Sequence, residues 1–488
     1  MAASASRASP ARVRPSSSLC RNLRPTPNCG AAAVPLSSLA SSSAAAAYAY
    51  DLFRSVRVGC SDIFYACSSS VHIEFAPGTS RPVTLGMTAR RHYERKRMNA
   101  MNLLPIQKAE RVQLLDICRG FAILGIFLVN VPSMLGMQPV EGVRVYEGFD
   151  STLKLGFDLL LTTKFYSIFA LLFGAGFWIF MSRAESHGKN ARTVYLRRSL
   201  VLLGFGVLHG VLFWEGDVLQ FYAVHGLALL LFYKRRPRTI LIWAAALMII
   251  FWIIVGVVNF VISPAETIVT APEPYNAIRD YARSFQERVT VQLPLKWATT
   301  VIFLLDTLPL FLFGLCLAKT GLLLRLDTWK GKLPRLQWMA VLAAALLSIP
   351  IVISYMTKQF YTGSSIMLFV MMQGKAVMLF YLVTIARIHT SPRFKPWLSP
   401  LSYAGRMALS NYVMHTVVTV IGVALVVENT AALKLWQIVL YCLGVYGLQI
   451  VLSRMWLSCF PQGPLEWLWR KGTYGLKPVS KAGASVSR

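Results

Sequence analysis

From Leu114 onward, apolar runs of bilayer-spanning length follow one another, separated by short polar loops. A run of about 20 mostly apolar residues rises about 30 Å as an α-helix, enough to cross the hydrocarbon core. The pattern predicts an all-α polytopic transmembrane bundle of about ten helices, at 114–137, 155–181, 198–214, 218–233, 239–262, 298–318, 338–355, 366–386, 407–427 and 435–457. The connecting loops alternate in charge. One set carries Arg183, Lys189, Arg192, Arg197 and Arg198, then Lys234 to Arg238, then Lys319, Arg325, Lys330, Lys332 and Arg335, then Arg387, Arg393 and Lys395. The other carries Glu141, Glu147 and Asp150, then Glu215 and Asp217, then Glu266, Glu273 and a mixed run through Arg288, then a nearly neutral turn at 356–365, then Glu428. Every basic loop falls on the side of Arg111 and of the Arg470–Lys471 tail. Because cationic loops are retained in the cytoplasm, both ends of the bundle are expected there, and a missed span would break the alternation.

Composition agrees with this pattern and narrows the partners. Hydrophobic residues make up 55% of the chain and charged residues 15%, an apolar surplus that a water-soluble domain of this length could not bury. The formal net charge of +29 could by itself suggest a nucleic-acid ligand, but the basic residues sit in loops beside apolar stretches and in the N-terminal region. That distribution points to an anionic lipid surface and not to nucleic acid.

The first hundred residues are rich in Ser, Ala and Arg, poor in acids, and lack a spanning run. Such a segment buries too little to fold alone. Two readings are open: a transit-type peptide, which would move the protein to an organelle membrane, or a start of translation at Met98 or Met101. The cytoplasmic lead-in from Met101 to Arg111 favours the second. The expected organisation is therefore a basic disordered region at 1–105, a transmembrane domain at 106–476 and a flexible tail at 477–488. Neither Cys20, Cys29, Cys60 and Cys67 nor Cys118, Cys316, Cys442 and Cys459 form a metal-ligand pattern, and no metal is expected.

Ionisable groups at membrane depth are costly and are candidates for function. Asp116 and Arg119 share a face of the first helix, near its cytoplasmic end. They serve either as an interfacial anchor or as an anion site, since guanidinium presents a bidentate fork to phosphate. The third and fourth helices form a hairpin around Glu215-Gly216-Asp217, with both arms read as shorter than a full span. His209 and His225 are expected about 10–14 Å below that turn. Lys164, Asp306 and Lys375 fall at comparable depth, giving either one polar layer or separate interhelical hydrogen bonds. Asn411 and His415 share a helix face, an arrangement more typical of packing. Phe173-Gly174-Ala175-Gly176 reads as close helix packing, and no nucleotide-loop or hydrolase signature occurs in a valid setting.

Several stretches resemble one family. Leu115-Asp116-Ile117-Cys118-Arg119-Gly120 with Asn130, Lys164-Phe165-Tyr166-Ser167-Ile168-Phe169, Leu208-His209-Gly210 with Gly216-Asp217, Gly405-Arg406-Met407-Ala408-Leu409-Ser410-Asn411-Tyr412, and Gly463-Pro464-Leu465-Glu466-Trp467 resemble the YeiB-type bacterial inner-membrane proteins. The likeness spans Arg111 to Leu476. The opening helix is also similar to that of the heparan-alpha-glucosaminide N-acetyltransferases and, more distantly, of the membrane O-acyltransferases.

The resemblance implies a multi-pass protein of the bacterial cytoplasmic membrane on an acyltransferase-like scaffold. On it, an acyl group, acetyl by expectation, would pass from cytoplasmic acyl-CoA to an extracytoplasmic glycan or lipid-linked acceptor, with no tightly bound cofactor. The family motifs carry over to Asp116, Arg119, Asn130, Arg406 and Asn411 as substrate-binding positions, and to His209, Asp217 and Lys164 as catalytic ones. In that scheme His209 is the general base, Asp217 orients it and Lys164 stabilises developing negative charge. His225 and His415 depart from the family pattern and are weaker candidates. A transporter of a small anion or lipid intermediate and a non-enzymatic membrane component are the alternatives.

Overall fold

The computed structural model describes residues 113–475, apart from 138–145, 187, 189, 259–273, 325 and 358–364. All of these belong to a single unit of the chain, Pro82–Arg488. The expectations for the N-terminal region and its Arg111, for the tail at 477–488 and for Glu141, Lys189, Glu266, Glu273 and Arg325 lie outside the described residues.

The described residues are helical, without a strand among them. The elements are α1 (Gln113–Met134), α2 (Gly148–Leu160), α3 (Lys164–Ser186), α4 (Ala191–Leu212), α5 (Leu219–Phe232), α6 (Pro237–Val257), α7 (Tyr281–Glu287) and α8 (Leu293–Lys319). Then follow α9 (Leu333–Met356), α10 (Ser365–His389), α11 (Lys395–Arg406), α12 (Ala408–Val417, continuing as a π-helical stretch Val418–Val423), α13 (Leu435–Cys459) and α14 (Pro464–Tyr474). Among the described residues nine helices or continuous helical pairs are long and apolar enough to cross a membrane, and α5 is a shorter apolar helix of 14 residues. Large side chains such as Leu231, Ile242, Trp338, Met356 and Val426 are exposed, as lipid-facing surfaces require. The protein is a multi-pass membrane protein.

Three differences from the sequence pattern have physical causes. The single helix expected at 155–181 is two, α2 and α3, broken at Leu161–Thr163. Thr163 has φ 70°, a left-handed conformation that a β-branched residue rarely adopts. The break strands the last carbonyls of α2, which lack an intrahelical partner. Side chains supply one: Lys164 Nζ donates to Asp158 O at 2.5 Å, Gln373 Nε2 to Leu159 O at 2.9 Å and the Tyr381 hydroxyl to Leu160 O at 2.9 Å.

Second, only one arm of the acidic hairpin is short. α4 has 22 residues and is a full span, whereas α5 has 14. Third, α11 and α14 are amphipathic helices that an apolar-run criterion passes over. α14 is fastened by Glu466, whose carboxylate accepts from Leu409 N at 2.7 Å, Ser410 N at 3.1 Å and the Ser410 hydroxyl at 2.6 Å. It thereby caps the start of α12, where helical N–H groups have no other acceptor.

Glycines set the closest helix approaches. A Cβ on Gly174 of α3 would strike the Phe311 carbonyl of α8, and one on Gly314 of α8 would strike the Leu171 carbonyl of α3. The same reciprocal contact joins α1 and α11, where Gly120 meets Leu401 O and Gly405 meets Asp116 O. Backbone contact of this kind is how apolar helices associate where no hydrophobic drive separates them from lipid.

Candidate functional site

His209 lies in the last turn of α4, three residues from its end, so its depth below the helix end is about 5 Å and not 10 Å or more. The chain leaves the helix at once: Phe213 N and Trp214 N both donate to His209 O, at 3.0 and 3.3 Å. Residues 213–218 fold inward and carry Asp217 with them, so that this carboxylate has no solvent exposure. His209 Nδ1 lies 2.9 Å from Asp217 Oδ1, and His209 Nε2 lies 3.0 Å from Thr416 Oγ1 on α12. Asp217 Oδ2 accepts from Gln220 N at 3.0 Å, opening α5, and the Tyr412 hydroxyl stands 3.4 Å from Oδ1.

A carboxylate accepts and cannot donate, so Nδ1 carries the hydrogen and Nε2 accepts from the threonine hydroxyl. Asp217, His209 and Thr416 form a carboxylate–imidazole–hydroxyl relay. The sequence pattern located the first two members but not Thr416, which lies 207 positions from His209 in the chain. Its position five residues after Asn411 carries no signal of its own.

Beside the relay is a cavity of about 260 Å³, whose polar wall includes Asn130, Ser133, Tyr146, Lys154, Thr162 and Trp214. Trp214 links the two: its backbone is bonded to His209 O and its indole Nε1 donates to Ser133 Oγ at 3.4 Å. Lys154 Nζ holds both oxygens of Asp158 at 2.8 Å, and the Thr162 hydroxyl donates to Asp158 Oδ1 at 3.0 Å. Asn130 forms no side-chain hydrogen bond with the described residues, so its amide meets the cavity with donors and acceptor unspent. Lys164 stands behind this wall, engaged with Asp158 O.

The remaining predicted positions separate from this place. Arg119 Nη1 pairs with Asp116 Oδ1 at 3.0 Å, as the spacing suggested, with the guanidinium partly exposed. Arg198 of α4 stacks on Trp469 of α14 at 3.6 Å, and Arg119 and Arg470 are near enough to repel it, so three cations gather at this end of the bundle. Arg406 Nη2 donates to Pro461 O at 3.3 Å. Asn411 Nδ2 donates to Ala404 O and Ser453 Oγ, both at 3.1 Å, tying α12 to α11 and α13. His415 Nε2 meets Gln449 Oε1 at 2.5 Å, and its ring lies flat on Phe127 with centroids 3.8 Å apart.

The expected polar layer resolves into separate networks. Lys375 Nζ pairs with Asp306 Oδ1 at 2.9 Å and donates to the Tyr166 hydroxyl at 2.9 Å, while that hydroxyl donates to Asp306 Oδ2 at 2.5 Å. His225 contacts Thr307 Oγ1 at 2.6 Å and Thr300 O at 3.0 Å. None of His209, Asp217, Lys164 and Arg119 lines the cavity of about 260 Å³. Among the described residues no group of three His, Cys, Asp or Glu side chains could hold a metal ion.

A helical multi-pass bundle with a buried His–Asp pair defines the class, and comparison with known proteins gives the family. Residues 317–476 match the family model described as "Protein of unknown function (DUF418)". The chain is 31% identical over 422 residues to the uncharacterised protein YxaH of Bacillus subtilis, covering 78% of this chain and 98% of that protein. It is also 31% identical over 390 residues to a 39.9 kDa uncharacterised protein of Bacillus acidopullulyticus, covering 76% and 96%. With the uncharacterised protein YeiB of Escherichia coli it shares 26% identity over 411 residues, covering 78% and 99%. The chain belongs to this YeiB-like DUF418 family.

Proposed function

We propose that the protein is a transmembrane acyltransferase that moves an acyl group, acetyl in the simplest case, from acyl-CoA to an acceptor on the far side of the membrane. The observation that carries this reading is the buried relay in which Asp217 holds His209 Nδ1 at 2.9 Å and leaves Nε2 facing a hydroxyl at 3.0 Å. A neutral imidazole fixed in that tautomer is a general base at neutral pH, and the carboxylate stabilises the imidazolium that forms.

The adjoining cavity supports an acceptor site. Its volume of about 260 Å³ suits a sugar-sized group, and Asn130, Lys154 and Trp214 offer hydrogen bonds and an aromatic face to a hydroxylated ligand. The basic cluster of Arg119, Arg198 and Arg470 supports a donor site at the opposite end, where guanidinium groups match the phosphates of coenzyme A. With the charge alternation of the loops, this reading puts the basic end and both ends of the bundle in the cytoplasm and the cavity on the extracytoplasmic side of a bacterial inner membrane. Lys164 serves in it as a support for the cavity wall, and Arg406 and Asn411 as supports for α12.

A transport reading has one supporting observation. One span is broken at Leu161–Thr163 and another passes through a π-helical stretch at Val418–Val423, and irregular helices line the sites of many transporters. The two experiments diverge. Purified protein in lipid nanodiscs should turn over radiolabelled acetyl-CoA, and His209→Ala should abolish turnover while leaving membrane insertion intact. Uptake of a labelled anion into proteoliposomes, without acetyl-CoA turnover, would favour transport instead.

A further inference from the structure

Thr416, the third member of the relay, has no role of its own in a direct acyl transfer. Thr416 Oγ1 occupies the only hydrogen-bonding direction left on His209 once Asp217 has taken Nδ1, so an acceptor hydroxyl cannot reach Nε2 while Thr416 is there. Thr416 is fully buried. It stands eight residues into α12, about 12 Å along the helix from Ala408. Its neighbours His415 and Asn411 are engaged with Gln449, Ser453 and Ala404, which fixes the rotation of α12 and keeps the Thr416 hydroxyl turned to His209. A carboxylate, an imidazole and an alcohol in this order form the arrangement that activates serine and threonine as nucleophiles.

We infer that Thr416 carries the acyl group across the bundle as a covalent ester. This rests on the acyltransferase reading and deepens it. In the first half-reaction Thr416 Oγ1 attacks the thioester carbonyl of acyl-CoA while His209 Nε2 takes the hydroxyl proton. The carbon–sulfur bond breaks, and the departing thiolate receives that proton from His209. In the second, an acceptor hydroxyl or amine attacks the threonyl ester, His209 takes its proton, the ester bond breaks, and the proton returns to Thr416 Oγ1. Nothing is oxidised or reduced, and His209 and Thr416 end as they began. A covalent carrier inside the bundle divides a transfer between the two membrane faces into two shorter steps, and it explains why the relay is sealed away from water that would hydrolyse the ester.

The test uses full-length protein in nanodiscs with acetyl-CoA and no acceptor, quenched in acid and digested for peptide mass spectrometry. The expected result is one acetyl group on Thr416, absent in His209→Ala and in Thr416→Val, and retained in Thr416→Ser. Direct detection on the wild-type residue does not depend on how well any variant folds. Turnover of acetyl-CoA with the acetyl group on His209, on another residue or on none would overturn the covalent step and leave the acyltransferase reading standing. Undiminished turnover by Thr416→Val would do the same. A result of neither acetyl-enzyme nor turnover without acceptor would overturn the covalent step alone. Absence of acetyl-CoA turnover by the wild-type protein in membranes that retain their own acceptors would remove the acyltransferase reading, and this inference with it.

Discussion

His209 and His415 are both buried, lie close to the same stretch of α12, and have opposite surroundings. His209 is held by a carboxylate on Nδ1 and faces a hydroxyl with Nε2. His415 gives Nε2 to the Gln449 amide oxygen, finds no partner for Nδ1, and lies against Phe127. In the first case a full negative charge fixes the tautomer and stabilises a proton taken up by the ring. In the second a neutral acceptor fixes the other tautomer and nothing nearby compensates a cation. Burial and a hydrogen bond are common to both; only the charged partner separates a candidate base from a packing residue.

The largest effect expected from this contrast is on turnover. Asp217→Asn should lower acetyl-CoA turnover by about 10²–10⁴-fold, because an amide no longer favours the Nδ1–H tautomer. His415→Gln should stay within about threefold of wild type on the same argument, since Gln keeps a donor for Gln449. A collapse of activity in His415→Gln with full membrane insertion would break the comparison.

A second contrast sets the relay against the Lys375–Asp306 pair, in which ammonium and carboxylate meet directly and Tyr166 bonds to both. Asp306→Asn alone leaves an ammonium without its counter-charge and should cost about 3–5 kcal/mol, read as a fall in melting temperature in detergent. The double variant Asp306→Asn/Lys375→Gln should recover a large part of that loss. If the double variant is as unstable as the single one, the pair is not what Asp306 contributes.

At the close contact of α3 and α8, Gly174→Ala should destabilise by about 1–3 kcal/mol through the clash with Phe311 O, with the Michaelis constant for acetyl-CoA unchanged. The smallest effect concerns Glu466, whose carboxyl is held above the ordinary value by burial, against the hydrogen bonds from α12. A folded-state value above the unfolded one adds stability at low pH that is lost as the pH rises through it. Acidifying from neutral pH toward the carboxylate range should therefore raise the wild-type melting temperature relative to that of Glu466→Gln. A difference that stays flat with pH would show that this carboxyl remains ionised throughout.

Much of the fold is legible because the bilayer allows few solutions. Leu435–Cys459 follows the expected 435–457 closely, since an apolar run of spanning length has no other stable state in lipid. α11 and α14 were missed because their apolar residues cover only one face, and their role is to brace neighbours through Gly405 and Glu466. The break between α2 and α3 was missed because a run of apolar residues does not reveal Thr163 in a left-handed conformation, which persists through the donors of Lys164, Gln373 and Tyr381. Lys164 was legible as a buried lysine but not as a cap for a helix end that only the break creates.

The sequence by itself determined the membrane class, the succession of spans, the i, i+3 pairing of Asp116 with Arg119 and the nearness of His209 to Asp217 across a short hairpin. These follow from hydropathy, loop charge and local spacing, which act over a few residues. Only the tertiary structure decided that Thr416 completes the relay, that Asn130 and Lys154 from separate helices share a cavity, and that Lys375 belongs to Asp306. Those choices depend on how helices far apart in the chain are rotated against one another. That rotation is set by glycine contacts and interhelical hydrogen bonds summed over the whole bundle.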